Sequence, residues 1–217
     1  MKKIAFFFFL LLFCTVNSGC TVLSLYPIYT EDNIIFEPGL LGTWTYGDDM
    51  DKYTLEFTRP DENKNAYLLA YTHFEIPFGN TTVSYFEAHL ADIGGYTILD
   101  LYPSEYDPIS DPKNKVAPAF VVQTHFFLMV DLHHSFLILR IMDSGWFDEY
   151  LKANPDDIEY VDIPYGSDIL LTTPTTKLQE FIINHIGVDE IFTLYAVYRR
   201  VDGAVETTEE ENPPIAE

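Results

Sequence analysis

From residue 43 onward, apolar side chains recur at every second position, the period of a strand with one buried and one solvated face. Thr43 to Tyr46 forms a short first strand. Tyr53, Leu55 and Phe57 alternate with Thr54, Glu56 and Thr58 ahead of the turn Arg59-Pro60-Asp61-Glu62-Asn63-Lys64-Asn65. Ala66 to Phe74 is apolar on both faces, Pro77-Phe78-Gly79-Asn80 turns the chain into Thr82 to Leu90, and Gly94-Gly95 makes a tight hairpin into Tyr96 to Tyr102. The segment 103–118 contains four prolines and little pattern, so it reads as a long loop of the kind that serves as a lid or binding loop. A long hairpin follows, Phe120 to Val130 and Phe136 to Ile141, joined through residues 131–135.

After this hairpin the period changes. Ser144 is placed to cap a short helix that buries Trp146, Phe147, Tyr150 and Leu151 and stops at Asn154-Pro155. Thr173 and Pro174 open a second helix with the apolar set Leu178, Phe181, Ile182 and Ile186 and a stop at Gly187. Ile158 to Ile163, Asp168 to Leu171 and Ile191 to Val201 read as strands. Closely spaced strands with helices only late in the chain predict a mainly β fold, an antiparallel barrel or curved sheet of about 8–10 strands with two short late helices. A barrel of about eight strands is packed by its own side chains or holds one small ligand. Residues 20–39 have no sustained period and read as a tether, 40–201 as the barrel domain, and 202–217 as an acidic disordered tail.

The first 20 residues carry the most specific signal. Lys2 and Lys3 precede a 13-residue apolar stretch, Ile4 to Val16, and Asn17-Ser18-Gly19-Cys20 closes it. Thirteen residues at ~1.5 Å each reach about 20 Å, short of the ~30 Å bilayer core, so residues 1–19 read as a removable signal peptide. Ser18-Gly19-Cys20 resembles the lipobox of bacterial lipoproteins, which implies lipidation of Cys20 and anchoring to a membrane of the cell envelope. With Cys14 lost in the leader, Cys20 is the only cysteine left, so no internal disulfide can form and acylation removes an oxidisable thiol. Thr21, where Asp would retain an enterobacterial lipoprotein at the inner membrane, points to the outer membrane in a host with two.

Charge narrows the partners. The formal net charge is −22, and −24 once Lys2 and Lys3 are gone, which excludes nucleic-acid binding through overall charge. The same acidity disfavours anionic ligands arriving from solution.

Gly42-Thr43-Trp44 opens the first strand after the tether. This resembles the Gly-x-Trp motif of lipocalins and other calycins, and implies that Trp44 plugs one end of a lipocalin-like barrel beneath an arginine near the end of the last strand, Arg199 or Arg200. The runs 24–31, 41–44 and Phe86-Glu87-Ala88-His89-Leu90 are similar to a group of uncharacterised bacterial lipoproteins. Two helices before the last strand set the chain apart from lipocalins, which have one main late helix.

Specific chemistry is scarce. His73, His89 and His125 fall on three strands and could form an open zinc site, a runner-up to a hydrogen-bonded structural role for each. His133-His134 sits in a turn, where adjacent side chains chelate poorly. Asp48, Asp49 and Asp51 lack the ligand spacing of a helical calcium loop and read as a solvated turn. No Gly-x-Ser-x-Gly elbow or glycine-rich phosphate cradle occurs, and no cofactor signature is found. The expectation is therefore a non-enzymatic, membrane-anchored binding module for an apolar or amphiphilic small molecule. The alternatives are a structural partner of another envelope protein and a cell-envelope hydrolase.

Overall fold

The computed structural model describes residues 21–48, 50–75, 79–104, 122–163, 168–187 and 190–201. The leader with Cys20, most of the 103–118 loop and the 202–217 tail lie outside the described residues. In chain order the elements are β1 (Val22–Ser24), β2 (Ile34–Ile35), a 3-10 turn (Pro38–Leu40), β3 (Gly42–Gly47), β4 (Asp51–Thr58), β5 (Tyr67–Glu75), β6 (Asn80–Ile93) and β7 (Tyr96–Pro103). They continue with β8 (Phe126–Leu132), β9 (Phe136–Met142), α1 (Ser144–Ala153), β10 (Tyr160–Ile163), β11 (Asp168–Leu171), α2 (Thr175–His185) and β12 (Phe192–Arg200).

Eight of these strands form a closed antiparallel barrel of lipocalin-like architecture: β6, β5, β4, β3, β12, β9, β8 and β7 pair in that order, and β6 pairs with β7 to shut the ring. Short turns join β3 to β4, β5 to β6, β6 to β7 and β8 to β9, whereas long segments connect β7 to β8 and, through both helices, β9 to β12. At Gly94-Gly95, φ values of +64° and +88° give the left-handed turn that a two-residue hairpin needs, and only glycine takes it without strain.

The period of two sorts the side chains into two cores. Inside the barrel lie Trp44, Leu55, Phe57, Tyr67, Leu69, Leu90, Leu99, Leu128, Leu137, Leu139 and Tyr198. The opposite faces of β6 to β9 and β12 are apolar too, and there Ala91, Ile93, Ile98, Phe127, Met142 and Phe192 pack under a second layer outside the barrel. Phe147 and Leu151 of α1, Leu178, Phe181 and Ile182 of α2, and Ile169 and Leu171 of β11 complete that outer core. Hence β6 and β7 are apolar on both faces near their shared hairpin: one face looks into the barrel and the other supports the helices.

Several expectations need correction. Residues 21–39 are no tether. Val22 to Ser24 pair in parallel with Ile169 to Leu171, β10 completes this small three-stranded sheet, and Ile34–Ile35 pair with Leu90–Ala91 of β6. Val22, Ser24 and Ile28 are fully buried. The strand expected over Phe120–Val130 begins only at Phe126, with His125 forming a single bridge to Ser24 and Val122 exposed. β10 starts at Tyr160 rather than Ile158, and β10 and β11 lie outside the barrel.

The helix caps also move. Asp143, not Ser144, caps α1, its carboxylate accepting from the Trp146 amide at 2.7 Å. Thr173 does not cap α2. Its hydroxyl accepts from the Glu159 amide at 2.6 Å and donates to the Glu159 carbonyl at 3.0 Å, tying the helix entry to the residue that leads into β10.

Candidate functional site: the barrel interior and its mouth

The barrel has two unlike ends. At one, the 3-10 turn crosses the opening and sets Leu40 over a fully buried Trp44, whose indole N–H donates to the Leu40 carbonyl at 2.9 Å. Of the two candidate arginines, Arg200 is the one over the indole, 4.1 Å from the ring centroid, a cation–π contact. Its guanidinium donates to the carbonyls of Gly39, of Leu41 at 2.9 Å and of His134 at 3.2 Å. Arg199 lies instead over Phe136, at 5.1 Å. Gly42 has φ +110° and a Cβ there would meet Arg200 Nη1 at 3.2 Å, so glycine is needed for both conformation and approach. On the far side of this end, the Tyr67 hydroxyl accepts from the Glu37 amide at 2.7 Å and donates to the Glu37 carbonyl at 3.0 Å. The polar groups of the plug are paired, and a pocket of about 580 Å³ edged by Glu37, Leu40, Asp131, His133 and Arg200 lies on this side of it.

Towards the other end the packing stops short. A cavity of about 320 Å³ is lined by Leu55, Phe57, Leu69, Tyr71, Phe86, Leu99, Leu101, Phe126, Leu128, Leu139, Tyr195 and Tyr198. The wall is carbon apart from tyrosine hydroxyls and any backbone it exposes. This size falls at the low end of the ~300–1,000 Å³ typical of small-molecule sites.

Tyrosines mark the mouth. β3 and β12 are in ladder register only at Thr45–Arg199 and Trp44–Arg200, and β12 carries a register shift between Leu194 and Ala196. The seam therefore opens away from the plug. A second pocket of about 690 Å³ lies there, walled by Tyr46, Tyr53, Tyr195 and Tyr198 and edged by Asp48, Asp51 and Arg199. Tyr195 and Tyr198 line both spaces, so the pocket and the cavity adjoin. Tyr46 lies 5.6 Å from Tyr198 and 5.9 Å from Tyr53, centroid to centroid. Burial pushes the Tyr71 hydroxyl up to about 12, and it also raises Tyr198, with neighbouring tyrosines adding to the effect. Tyr53 is raised by burial and by its hydrogen bond to Asp51. These phenols stay neutral donors at ordinary pH.

The three strand histidines do not converge. His73, on β5, bonds Asp51 through Nε2 at 2.6 Å and stacks on Tyr53 at 4.4 Å, at the mouth. His89 and His125 lie on the outer face, beneath the N-terminal segment. His125 Nδ1 pairs with the buried Asp100 at 2.7 Å, and the other Asp100 oxygen accepts from the Ile28 amide at 2.9 Å. His89 stacks on Tyr29 at 4.3 Å, and burial lowers its pKa. Each ring thus has its own local partner, and among the described residues no group of three or more His, Cys, Asp or Glu side chains is arranged to hold a metal ion. In the acidic turn, Asp48 accepts from the amides of Met50 and Asp51 at 2.7 and 3.1 Å, a self-contained turn bond; Asp49 lies outside the described residues.

Comparison of the chain with known protein families, with curated proteins and with solved structures finds no match. The site therefore rests on its own geometry. Tyr46, Tyr53, Tyr195 and Tyr198 escape the sequence reading because inward tyrosines look like any aromatic core stripe. One signal was present: the last inward position before the mouth is tyrosine on adjacent strands β3 and β4, where a sealed barrel could equally take leucine or phenylalanine.

Proposed function

We propose that this protein is a lipid-anchored lipoprotein of the bacterial cell envelope that holds an apolar or amphiphilic small molecule inside its barrel. The observation that carries the binding reading is the carbon-lined cavity of about 320 Å³ between the Trp44 plug and the tyrosine mouth. A domain selected only for stability would fill such a space, because atoms bordering a void lack dispersion partners on one side, at a cost in free energy. The basic and apolar leader ending in Ser18-Gly19-Cys20 supports export and acylation of Cys20, and Thr21 favours the outer membrane where two exist. An apolar space open toward the mouth favours this reading over the purely structural alternative.

Native mass spectrometry of the protein extracted from its own membrane tests this reading. A copurifying small molecule together with acyl chains on Cys20 supports it. A free thiol at Cys20 in soluble protein refutes the anchor, and an empty protein that takes up no apolar probe refutes the binding role.

The hydrolase alternative has one observation in its favour, the His73–Asp51 pair beside the mouth, an arrangement able to orient an imidazole as a base. Ester hydrolysis that disappears in Asp51→Asn would support that second reading.

A further inference from the structure

We infer that the molecule held in the barrel carries a cationic head, an amine or quaternary ammonium, seated among the tyrosines of the mouth with its apolar tail in the cavity behind them. This rests on the binding reading above and adds the chemistry of the head group.

The two adjoining spaces differ in what they offer. The inner one is walled by leucine and phenylalanine and offers nothing to a charged group, so it takes the tail. The outer one changes character across the rings of Tyr195 and Tyr198, which line both. Tyr46 stands at 51° to Tyr198 and 32° to Tyr53 with centroids 5.6 and 5.9 Å away, and all three rings line the outer pocket, one face of Tyr53 being stacked on His73. Ring faces carry the negative lobe of the aromatic quadrupole, and several facing one site attract a cation, best one that sheds its water easily. Asp48 and Asp51 edge the same volume with carboxylates, the formal counter-charge for such a head. Of the cationic groups nearby, Arg199 edges the same pocket but its guanidinium lies over Phe136, 5.1 Å from the ring centroid, and the His73 Nε2 is engaged by Asp51. A sulfate or carboxylate head would meet two carboxylates and a chain of net charge −22, and a hydroxyl head would gain only hydrogen bonds to phenols.

Three ligands with the same ten-carbon tail separate the possibilities: decyltrimethylammonium, 1-decanol and decyl sulfate, each kept below micelle-forming concentration. Residues 20–217 carrying Cys20→Ala and made without the apolar leader, which is the processed chain lacking only the acylated thiol, allow calorimetric titration without detergent. Decyltrimethylammonium is expected to bind at least about tenfold more tightly than the other two, a difference of ~1.4 kcal/mol. Tyr46→Leu and Asp48→Asn, both at exposed positions, should each erode that preference about fivefold or more while leaving decanol affinity unchanged. Equal affinities, or tighter binding of decyl sulfate, overturn the cationic head and leave the binding reading intact. A preference that survives both substitutions overturns its placement at the mouth. If none of the three binds, or if Leu99→Trp with a native circular-dichroism spectrum binds all three as before, the barrel-binding reading fails and the head-group inference falls with it.

Discussion

The two ends of the barrel are built from the same strands by opposite rules. At the plugged end each polar group of the plug is spent on a neighbour: the Trp44 indole on Leu40, the Arg200 guanidinium on three carbonyls, the Tyr67 hydroxyl on Glu37. At the mouth the aromatic side chains are of similar size but leave a cavity between them, and β3 and β12 part beyond a ladder of two residue pairs. Barrel closure and barrel filling are therefore separate properties. At the plugged end the 3-10 turn and Arg200 stitch the seam between β3 and β12, and among the described residues no comparable set of bonds spans it at the other end.

The largest effect is expected at the plug. Trp44→Ala removes a fully buried indole and the surface on which Arg200 rests, and should cost roughly 3–5 kcal/mol in urea unfolding, as large-to-small core changes of aromatic residues do. A loss within about 0.5 kcal/mol, the range of surface changes, would mean that the plug is not a structural element.

A matched pair of enlargements sets the filled region against the unfilled one. Leu137, fully buried in the packed part of the core, should resist Leu137→Trp at a cost of ~1–3 kcal/mol, whereas Leu99→Trp, which can grow into the cavity, should cost less than about 1 kcal/mol. Thermal or urea unfolding of the two variants side by side checks this, and equal costs would show that the cavity closes up in solution.

The smallest effects concern two tyrosines on β5. Tyr67→Phe deletes paired hydrogen bonds and should cost about 0.5–1.5 kcal/mol, while Tyr71→Phe at the cavity wall should change stability by less. In both the phenol is raised from 10.0 to about 12 by burial. The folded state therefore favours the protonated form. Its contribution is complete below pH 10 and is lost as pH rises through about 12, so stability should fall across that window. Unfolding midpoints read alongside phenolate absorbance test it, and each Tyr→Phe change should flatten the slope. A stability profile that is level to pH 12 would contradict the burial of both rings.

Much of this architecture was legible because period-two patterning and glycine turns are local. Tyr53, Leu55 and Phe57 face inward as their alternation requires, Gly94-Gly95 turns the hairpin, and both helices form where the period changes. What escaped depends on distant partners. Val22, Ser24 and Ile28 show no usable period, since β1 has three residues and its partner β11 lies near the far end of the chain. Phe120-Val121-Val122 reads as the start of a strand, but the ladder between β7 and β8 begins at Phe126, after the polar Gln123-Thr124-His125. The caps failed by one residue because Asp143 and Ser144 are both good caps, and because Thr173 found stronger backbone partners across the turn. The outer core was hidden in plain view: apolar residues on both faces of β6 and β7 fit any buried strand, and only the position of the helices tells which second face is covered.

The bridge between Ser24 and His125 has a bearing on where a cargo would be loaded. Its two backbone hydrogen bonds, 2.9 and 2.8 Å, fix Ser24 beside the residue preceding β8, at the mouth end of that strand; the turn after β8 carries His134, which lies at the plug. Cys20 is four residues upstream in the sequence, a chain length of about 14 Å at ~3.5 Å per residue. Under the lipoprotein reading, acyl chains on Cys20 would moor the mouth and leave the plug free to face away. Such a berth would let an amphiphile pass from bilayer to barrel over a path comparable to its own length, without the protein leaving the membrane.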